Sequence, residues 1–256
     1  GWGYADILPY FKKSEMRIGD ADEDYRGRDG GLAVTDTDWK HPLCEAFIDG
    51  AESVGIPRNK DYNGAVQEGS SYTQRTINKR RRVSSARAFL TPAKSWSNLK
   101  IITNAHATSL IMDGKTAIGV RYIKGGRGGS PKAIGARREV ILSGGVINSP
   151  QLLQLSGIGD PELLNDLNIP VVHTLKGVGS NLRDHYTPRF TARVKNATSI
   201  NQLAQGPRVL VEGMKWLMKK PSVLSLSATA VYAFWRSDPA TTLSLKHHRR
   251  CRPSTP

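Results

Sequence analysis

Residues 137–160 read RREVILSGGVINSPQLLQLSGIGD, and their reading decides the fold. Val140, Ile141 and Leu142 form a short apolar run led in by charge, the pattern of a buried strand. Ser143, Gly144 and Gly145 end it, because a glycine pair lets the backbone turn and approach another group closely. Asn148 or Ser149 suits the N-cap of a helix, with Pro150 at its first position, where φ is already set. Leu152, Leu153 and Leu155 give that helix an apolar face, and Gly157 and Gly159 stop it. A strand, a glycine turn and a capped helix bring backbone N–H groups and a positive helix end to one point, which suits a phosphate or another electron-rich group. By spacing alone, an ordinary βα unit with a tight turn explains the same residues.

The spacing Gly145-x-x-x-Ser149-Pro150-x-Leu152-Leu153-x-x-Ser156-Gly157-Ile158-Gly159 closely resembles the second signature of the glucose-methanol-choline (GMC) family of FAD-dependent oxidoreductases. Val146 departs from it, since the family usually carries a small residue such as Ala there. Further segments are similar to the same family: a tyrosine and Asp-Gly within residues 25–30, Asp61-Tyr62-Asn63-Gly64 followed by Gln67-Glu68-Gly69, and Arg81, Arg82, Ser84, Leu90 and Pro92, with Arg80 where the family has Gly. Residues 177–185 resemble its Val-Gly-x-Asn-Leu-Gln-Asp-His, Arg183 replacing Gln. The resemblance runs from Trp2 to Pro239 and is closest to the bacterial choline-dehydrogenase-like branch.

The remaining chain reads as alternating short elements. Helical spacing marks residues 4–15, with Pro9 as a point of interruption, 43–54 with Gly55 as its stop, 163–167 and 209–218. Strands are expected at 32–35, 72–77, 138–142, 170–173, 190–194 and 228–236. Asp113-Gly114 lies between two alternating runs and predicts a hairpin. Residues 125–135 hold five glycines and several cations, expected as a mobile loop or an extended hairpin tip. The glycines at 125–129 do not match a Gly-x-Gly-x-x-Gly dinucleotide loop, because the spacing differs and no apolar strand leads through them into a helix.

A chain of 256 residues with 38% hydrophobic and 23% charged residues is globular, not disordered. No apolar run reaches the roughly 20 residues that cross a bilayer, so no transmembrane segment is expected. Cys44 and Cys251 lie far apart without metal-ligand spacing, which predicts neither a disulfide framework nor a metal site and points to a reducing compartment, the cytoplasm, with attachment at the periphery of the inner membrane left open. His247, His248 and Cys251 stand among cations with no second ligand group. The net charge of +15 gathers at 79–82, 124–138 and 246–252 without interleaved aromatic residues, so no nucleic-acid partner is expected. Asp184 beside His185 is read as structural, with His185 in the core or hydrogen-bonded, because neighbouring side chains rarely face each other. Residues 241–256 are basic and aperiodic and are expected to be exposed, a disordered or aberrant tail.

The fold class expected is α/β (α+β mixed), a partial GMC fold with a β-meander and part of a substrate-binding sheet. The domains expected are 1–92 (cap and substrate-domain segments with a linker), 93–185 (FAD-binding segment with meander, return strand and signature), 186–239 (start of the substrate domain) and 240–256 (tail). The resemblance implies FAD as cofactor, held by Gly144, Gly145, Asn148 and Ser149, with Ala107 touching the adenine through its backbone. It implies a small-molecule alcohol, primary or choline-like, oxidised to an aldehyde with hydride passed to the flavin, and an electron acceptor that is a quinone, a dye or oxygen. No catalytic residue is expected here, because the family's histidine base lies in its C-terminal portion and its dinucleotide loop in its N-terminal portion. With Gly1-Trp2-Gly3 opening on an amphipathic segment, the chain reads as a piece of something longer, inactive alone. The alternatives are a lyase-type family member without net redox activity and a basic nucleic-acid-binding module.

Overall fold

Asp6 early and Lys12 and Lys13 late favour a helix at the start of the chain by complementing its dipole. In a computed structural model, which describes residues 1–79, 81–126, 128–227 and 229–236, this is α1 (Tyr4–Ser14), continuous through Pro9. β1 (Glu15–Ile18) then pairs in parallel with β2 (Leu32–Thr35). α2 (Pro42–Ser53) starts where His41 Nδ1 accepts the Leu43 N–H (3.2 Å), so histidine takes the place of the usual Ser or Asp cap. β3 (Gly69–Tyr72) precedes the hairpin of β4 (Ile77–Asn78) and β5 (Arg81–Arg82), and a π-helical turn, Ala86–Leu90, runs into α3 (Thr91–Ala93).

β6 (Ala105–Asp113), β7 (Thr116–Lys124) and β8 (Ser130–Gly135) form an antiparallel meander. The Asp113-Gly114 turn is where the sequence places it, and the glycine-rich stretch is the tip of the extended β7–β8 hairpin. α4 (Gly145–Gln154) leads to β9 (Ile158–Gly159), α5 (Pro161–Asp166) and β10 (His173–Thr174), which pairs in parallel with β9. α6 (Ile200–Leu203), α7 (Arg208–Leu217), a 3-10 turn Val223–Ser225 and β11 (Val231–Phe234) complete the described chain. The class is mixed α and β with small sheets.

The chain divides into two compact units, residues 1–99 with 192–256 and residues 100–191. In the first, β11 pairs antiparallel with β3, Val231 opposite Tyr72, and α2 lies against both strands. Trp39, Cys44, Ile48, Tyr72 and Val223 form its core, with Ile200, Leu203, Leu226, Ala230 and Val231 packed on them. In the second, α4 packs on β6.

Several expectations need correction. The strand expected at 72–77 is broken: β3 ends at Tyr72 and β4 begins at Ile77, because between them only Arg75 makes a bridge, an isolated one with Thr35. Of 170–173 only His173 enters a strand, where it meets Ile158 of β9. Residues 138–142 make no strand: a strand needs a neighbour for its N–H and C=O groups, none is paired there, and Ile141 is 75% exposed. The return strand of the expected FAD-binding segment is therefore absent from this fold. Residues 190–194 likewise form no ladder, with Phe190 exposed. The helix of the opening motif starts at Gly145, not after Asn148 or Ser149, and Pro150 lies inside it. The reason is local: the Gly144 N–H donates to Ser149 Oγ (2.9 Å), so the serine reaches back to satisfy the turn instead of capping a later start. The basic tail, 241–256, lies outside the described residues.

Candidate functional site

The glycine turn of the second unit holds four of the five residues expected to contact a cofactor. Gly144 caps α4 with φ −79° and ψ −1°, and Gly145 follows at φ +86°, a left-handed conformation that disfavours any side chain. A Cβ built on Gly145 would meet nothing within 4 Å, so the space in front of it is open. With the Gly144 N–H spent on Ser149, the N–H groups of Gly145, Val146 and Ile147 are the first-turn donors without an intrahelical acceptor. Asn148 and the turn itself are exposed, and Ser149 is half-buried. From Ile141 to Leu155 no side chain carries a charge, so within this segment the helix dipole is the one source of field.

Ala107, the fifth residue, is exposed on β6 opposite Tyr122. Immediately after it the ladder slips, Ser109 pairing with Arg121, which leaves Thr108 as a bulge. Helix and strand are joined three residues beyond Ala107, where the Leu110 N–H donates to Ser156 Oγ (2.8 Å). The donor set fits the FAD that the family resemblance implies: unspent N–H groups, a helix end of positive sign and a glycine that admits close approach suit its electron-rich groups. His185 is exposed, not in a core, and Asp184 Oδ1 accepts its backbone N–H (2.7 Å). No group of three or more His, Cys, Asp or Glu among the described residues could hold a metal ion, and His247, His248 and Cys251 lie outside them.

Sequence reading missed a charged hub in the first unit. Arg26 is 2% exposed, and its guanidinium donates to Glu15 Oε1 (2.6 Å) and Oε2 (3.0 Å), to Gln74 Oε1 (3.0 Å) and to Asp61 Oδ1. Asp61 belongs to the Asp-Tyr-Asn-Gly turn, so that motif anchors an arginine as well as turning the chain. A cleft of about 890 Å³ opens above the hub, lined by the rings of Tyr4, Phe11, Tyr25 and Tyr62 together with Glu15 and Arg26. Burial, the largest cause, pushes the phenols of Tyr62 and Tyr232 up, so both are hydrogen-bonding groups and not proton-transfer groups near neutrality. Tyr232 donates to Asn59 O, and Tyr62 accepts the Gln74 N–H (3.2 Å).

The GMC oxidoreductase family matches residues 1–187. The oxygen-dependent choline dehydrogenase of Chromohalobacter salexigens is 42% identical over 251 residues, 96% of this chain and 44% of its own length. Human mitochondrial choline dehydrogenase is 40% identical over 239 residues, 93% of this chain and 40% of its own. Among solved structures, an FAD-dependent oxidoreductase from Chaetomium thermophilum superposes with a TM-score of 0.78 at 29% identity, covering 90% of this chain and 43% of that one. A formate oxidase shares the fold, with a TM-score of 0.78 at 23% identity over 97% of this chain and 44% of its own. The chain thus spans less than half the length of these relatives. Matched by the family over residues 1–187 and by relatives at 40–42% identity over nearly all its length, this chain belongs to the GMC oxidoreductase family.

Proposed function

We propose that the chain is part of an FAD-dependent oxidoreductase that oxidises a CH–OH group, with choline or a choline-like primary alcohol as substrate and the aldehyde as product. The single observation that carries this reading is the α4 turn, where first-turn N–H groups without an intrahelical acceptor lie beside the open space at Gly145. The names of the relatives at 40–42% identity support the substrate class, and favour net oxidation over a lyase-type activity. Bound FAD would supply the hydride acceptor. The chain's own part is to hold and orient: Gly145, Val146 and Ile147 present N–H donors, Ser149 keeps the turn closed through Gly144, Asn148 adds an exposed amide, and Ala107 offers a backbone edge. None of the described residues is assigned as the base.

Residues 93–185 are assigned to the flavin side, 1–92 and 186–239 to the substrate side. Among the described residues no helix is long and apolar enough to cross a membrane. We place the protein in the cytoplasm, leaving attachment at the periphery of the inner membrane open, with a quinone, a dye or oxygen as electron acceptor.

The test is a flavin titration of the 256-residue chain followed by fluorescence. The purified chain is expected to be colourless, because no segment matches a dinucleotide-binding glycine loop, and to bind added FAD weakly but saturably. Gly145→Val should abolish that binding with the far-ultraviolet circular dichroism unchanged. Equal affinity in variant and wild type would overturn the assignment.

A further inference from the structure

We propose that Ser156 is a positioning residue, setting where the first turn of α4 stands relative to the Ala107 stretch of β6. The inference rests on the reading of that turn and of Ala107 as contacts to one flavin nucleotide.

Ser156 is 8% exposed and lies just beyond the last turn of α4. Its hydroxyl is used twice: Oγ accepts the Leu110 N–H (2.8 Å) and donates to Leu152 O (2.6 Å). The first bond takes a backbone N–H that β6 directs away from β7, on the edge the meander leaves unpaired, and the second returns the hydroxyl proton to the helix itself. One atom therefore ties strand to helix, and among the described residues no other side-chain hydrogen bond joins β6 to residues 143–160.

Its place along both elements gives the clamp leverage. Leu110, 6% exposed, follows the Thr108 bulge by two residues, and a bulge re-aims the strand on either side of it. Pinning the strand just past the bulge fixes the direction in which Ala107 emerges. On the helix, the clamp acts at the C-terminal end, where Gln154 Nε2 also donates to Val178 O (3.2 Å) and Gly157 O accepts the Val172 N–H (2.8 Å). Ten residues at 1.5 Å each carry that fixed end to the glycine turn about 15 Å away. Val146 and Ile147 at the far end are exposed, so the turn takes its position from the clamped end.

The experiment uses the full chain with Ser156→Ala and Ser156→Thr. The first removes the hydroxyl and the second keeps it. ADP, which carries the adenine and pyrophosphate of the cofactor, is titrated by nuclear magnetic resonance, and amide hydrogen exchange is followed in the same samples. Ser156→Ala should raise the Kd for ADP about tenfold, the equivalent of losing one well-placed hydrogen bond. It should speed exchange both at Leu110 and through residues 145–149, and Ser156→Thr should return both readouts to near wild type. An unchanged ADP affinity in Ser156→Ala, with exchange faster at Leu110, would overturn the proposal and leave Ser156 a packing residue. If the wild-type chain binds no ADP at millimolar concentration, the nucleotide reading fails on its own, and exchange still decides: acceleration confined to Leu110 overturns the positioning role, and acceleration reaching 145–149 supports it. Should Ser156→Ala fail to fold, Ser156→Cys keeps the volume and weakens the acceptor, and an ADP affinity equal to wild type would then count against the proposal.

Discussion

The two units bury polar groups in opposite ways. Among the described residues of 1–99 and 192–256, three arginines are buried, each on a carboxylate: Arg17 on Asp36 (2.7 Å), Arg26 on Glu15 (2.6 Å) and Asp61, and Arg75 on Asp38 (2.7 Å). Among the described residues of 100–191 no charged side chain is buried, and half of the six buried positions, Gly119, Gly157 and Gly159, are glycines. The first unit is specified by ion pairs between segments distant in sequence, Arg75 Nη1 also reaching Ser225 O (2.5 Å). The second is specified by close backbone approach and one hydroxyl. Substitutions should therefore fail by different mechanisms in the two, and can be read separately, because all five tryptophans lie outside 100–191.

The largest effect is expected at the arginine hub. Arg26→Met would leave Glu15 and Asp61 without their cation in a mostly buried place, a loss of about 3 kcal/mol by the behaviour of broken buried pairs. Urea unfolding followed by tryptophan fluorescence should show a clearly lowered midpoint. Arg58→Met, which removes exposed pairs to Asp49 and Glu52, should leave the same midpoint where it is. Equal losses in the two variants would remove the contrast between buried and exposed pairs.

In the second unit the comparable break is steric. Gly157 has φ +79°, and a Cβ there would lie 2.3 Å from Pro170 O and 2.8 Å from Val172 Cγ2. Gly157→Ala should cost about 2 kcal/mol through backbone strain and overpacking. Faster amide exchange confined to 100–191, with tryptophan fluorescence unmoved, is the expected pattern; a matching shift in fluorescence would show that the units unfold together.

A smaller and more selective effect is expected at Gly145. Asn tolerates positive φ better than other side chains do, so Gly145→Asn should cost about 1 kcal/mol or less in stability. It should still weaken FAD binding, because its side chain enters the open space beside the turn. Loss of stability with binding intact would reverse the assignment of that space.

What the sequence made legible follows the same division. Local signals survived: the Asp113-Gly114 hairpin, α2 and α7 within a residue or two, and a Gly145 turn with left-handed φ. Readings that depended on a partner did not. Residues 138–142 have the apolar pattern of a strand, but pattern supplies no neighbour for the ladder. The α4 start moved because Ser149 Oγ reaches back to accept the Gly144 N–H, a choice that N-cap statistics do not encode. The hub was invisible because Arg26 meets partners 11, 35 and 48 residues away, and nothing in the local pattern around Arg26 announces that convergence. Ser156 was read only as part of a signature, whereas its Leu110 partner lies 46 residues earlier.

A further modest effect bears on whether the first unit's core depends on its polar contacts as its arginines do. Tyr72 is 7% exposed; its hydroxyl donates to Glu45 Oε1 (2.9 Å) and accepts the His41 N–H (3.2 Å), while Lys40 Nζ sits 3.6 Å from the ring centroid. Tyr72→Phe keeps the ring and its cation and removes only the hydroxyl, so at pH 7 it should cost about 1 kcal/mol. Burial first, and Glu45 after it, push the Tyr72 phenol up to about 12 from an ordinary value of 10.0. The folded state thus holds the proton more tightly than the unfolded chain. Its contribution is fully present below pH 10 and is lost as pH rises toward 12, where the unfolded phenol ionises first. The stability gap between wild type and Tyr72→Phe should therefore be constant from pH 7 to 10 and narrow above it, the lysine contact cancelling because both proteins keep the ring. A gap that stays constant to pH 12 would mean the phenol is not held protonated by the core, and would put Tyr72 on the side of packing and not of polar specification.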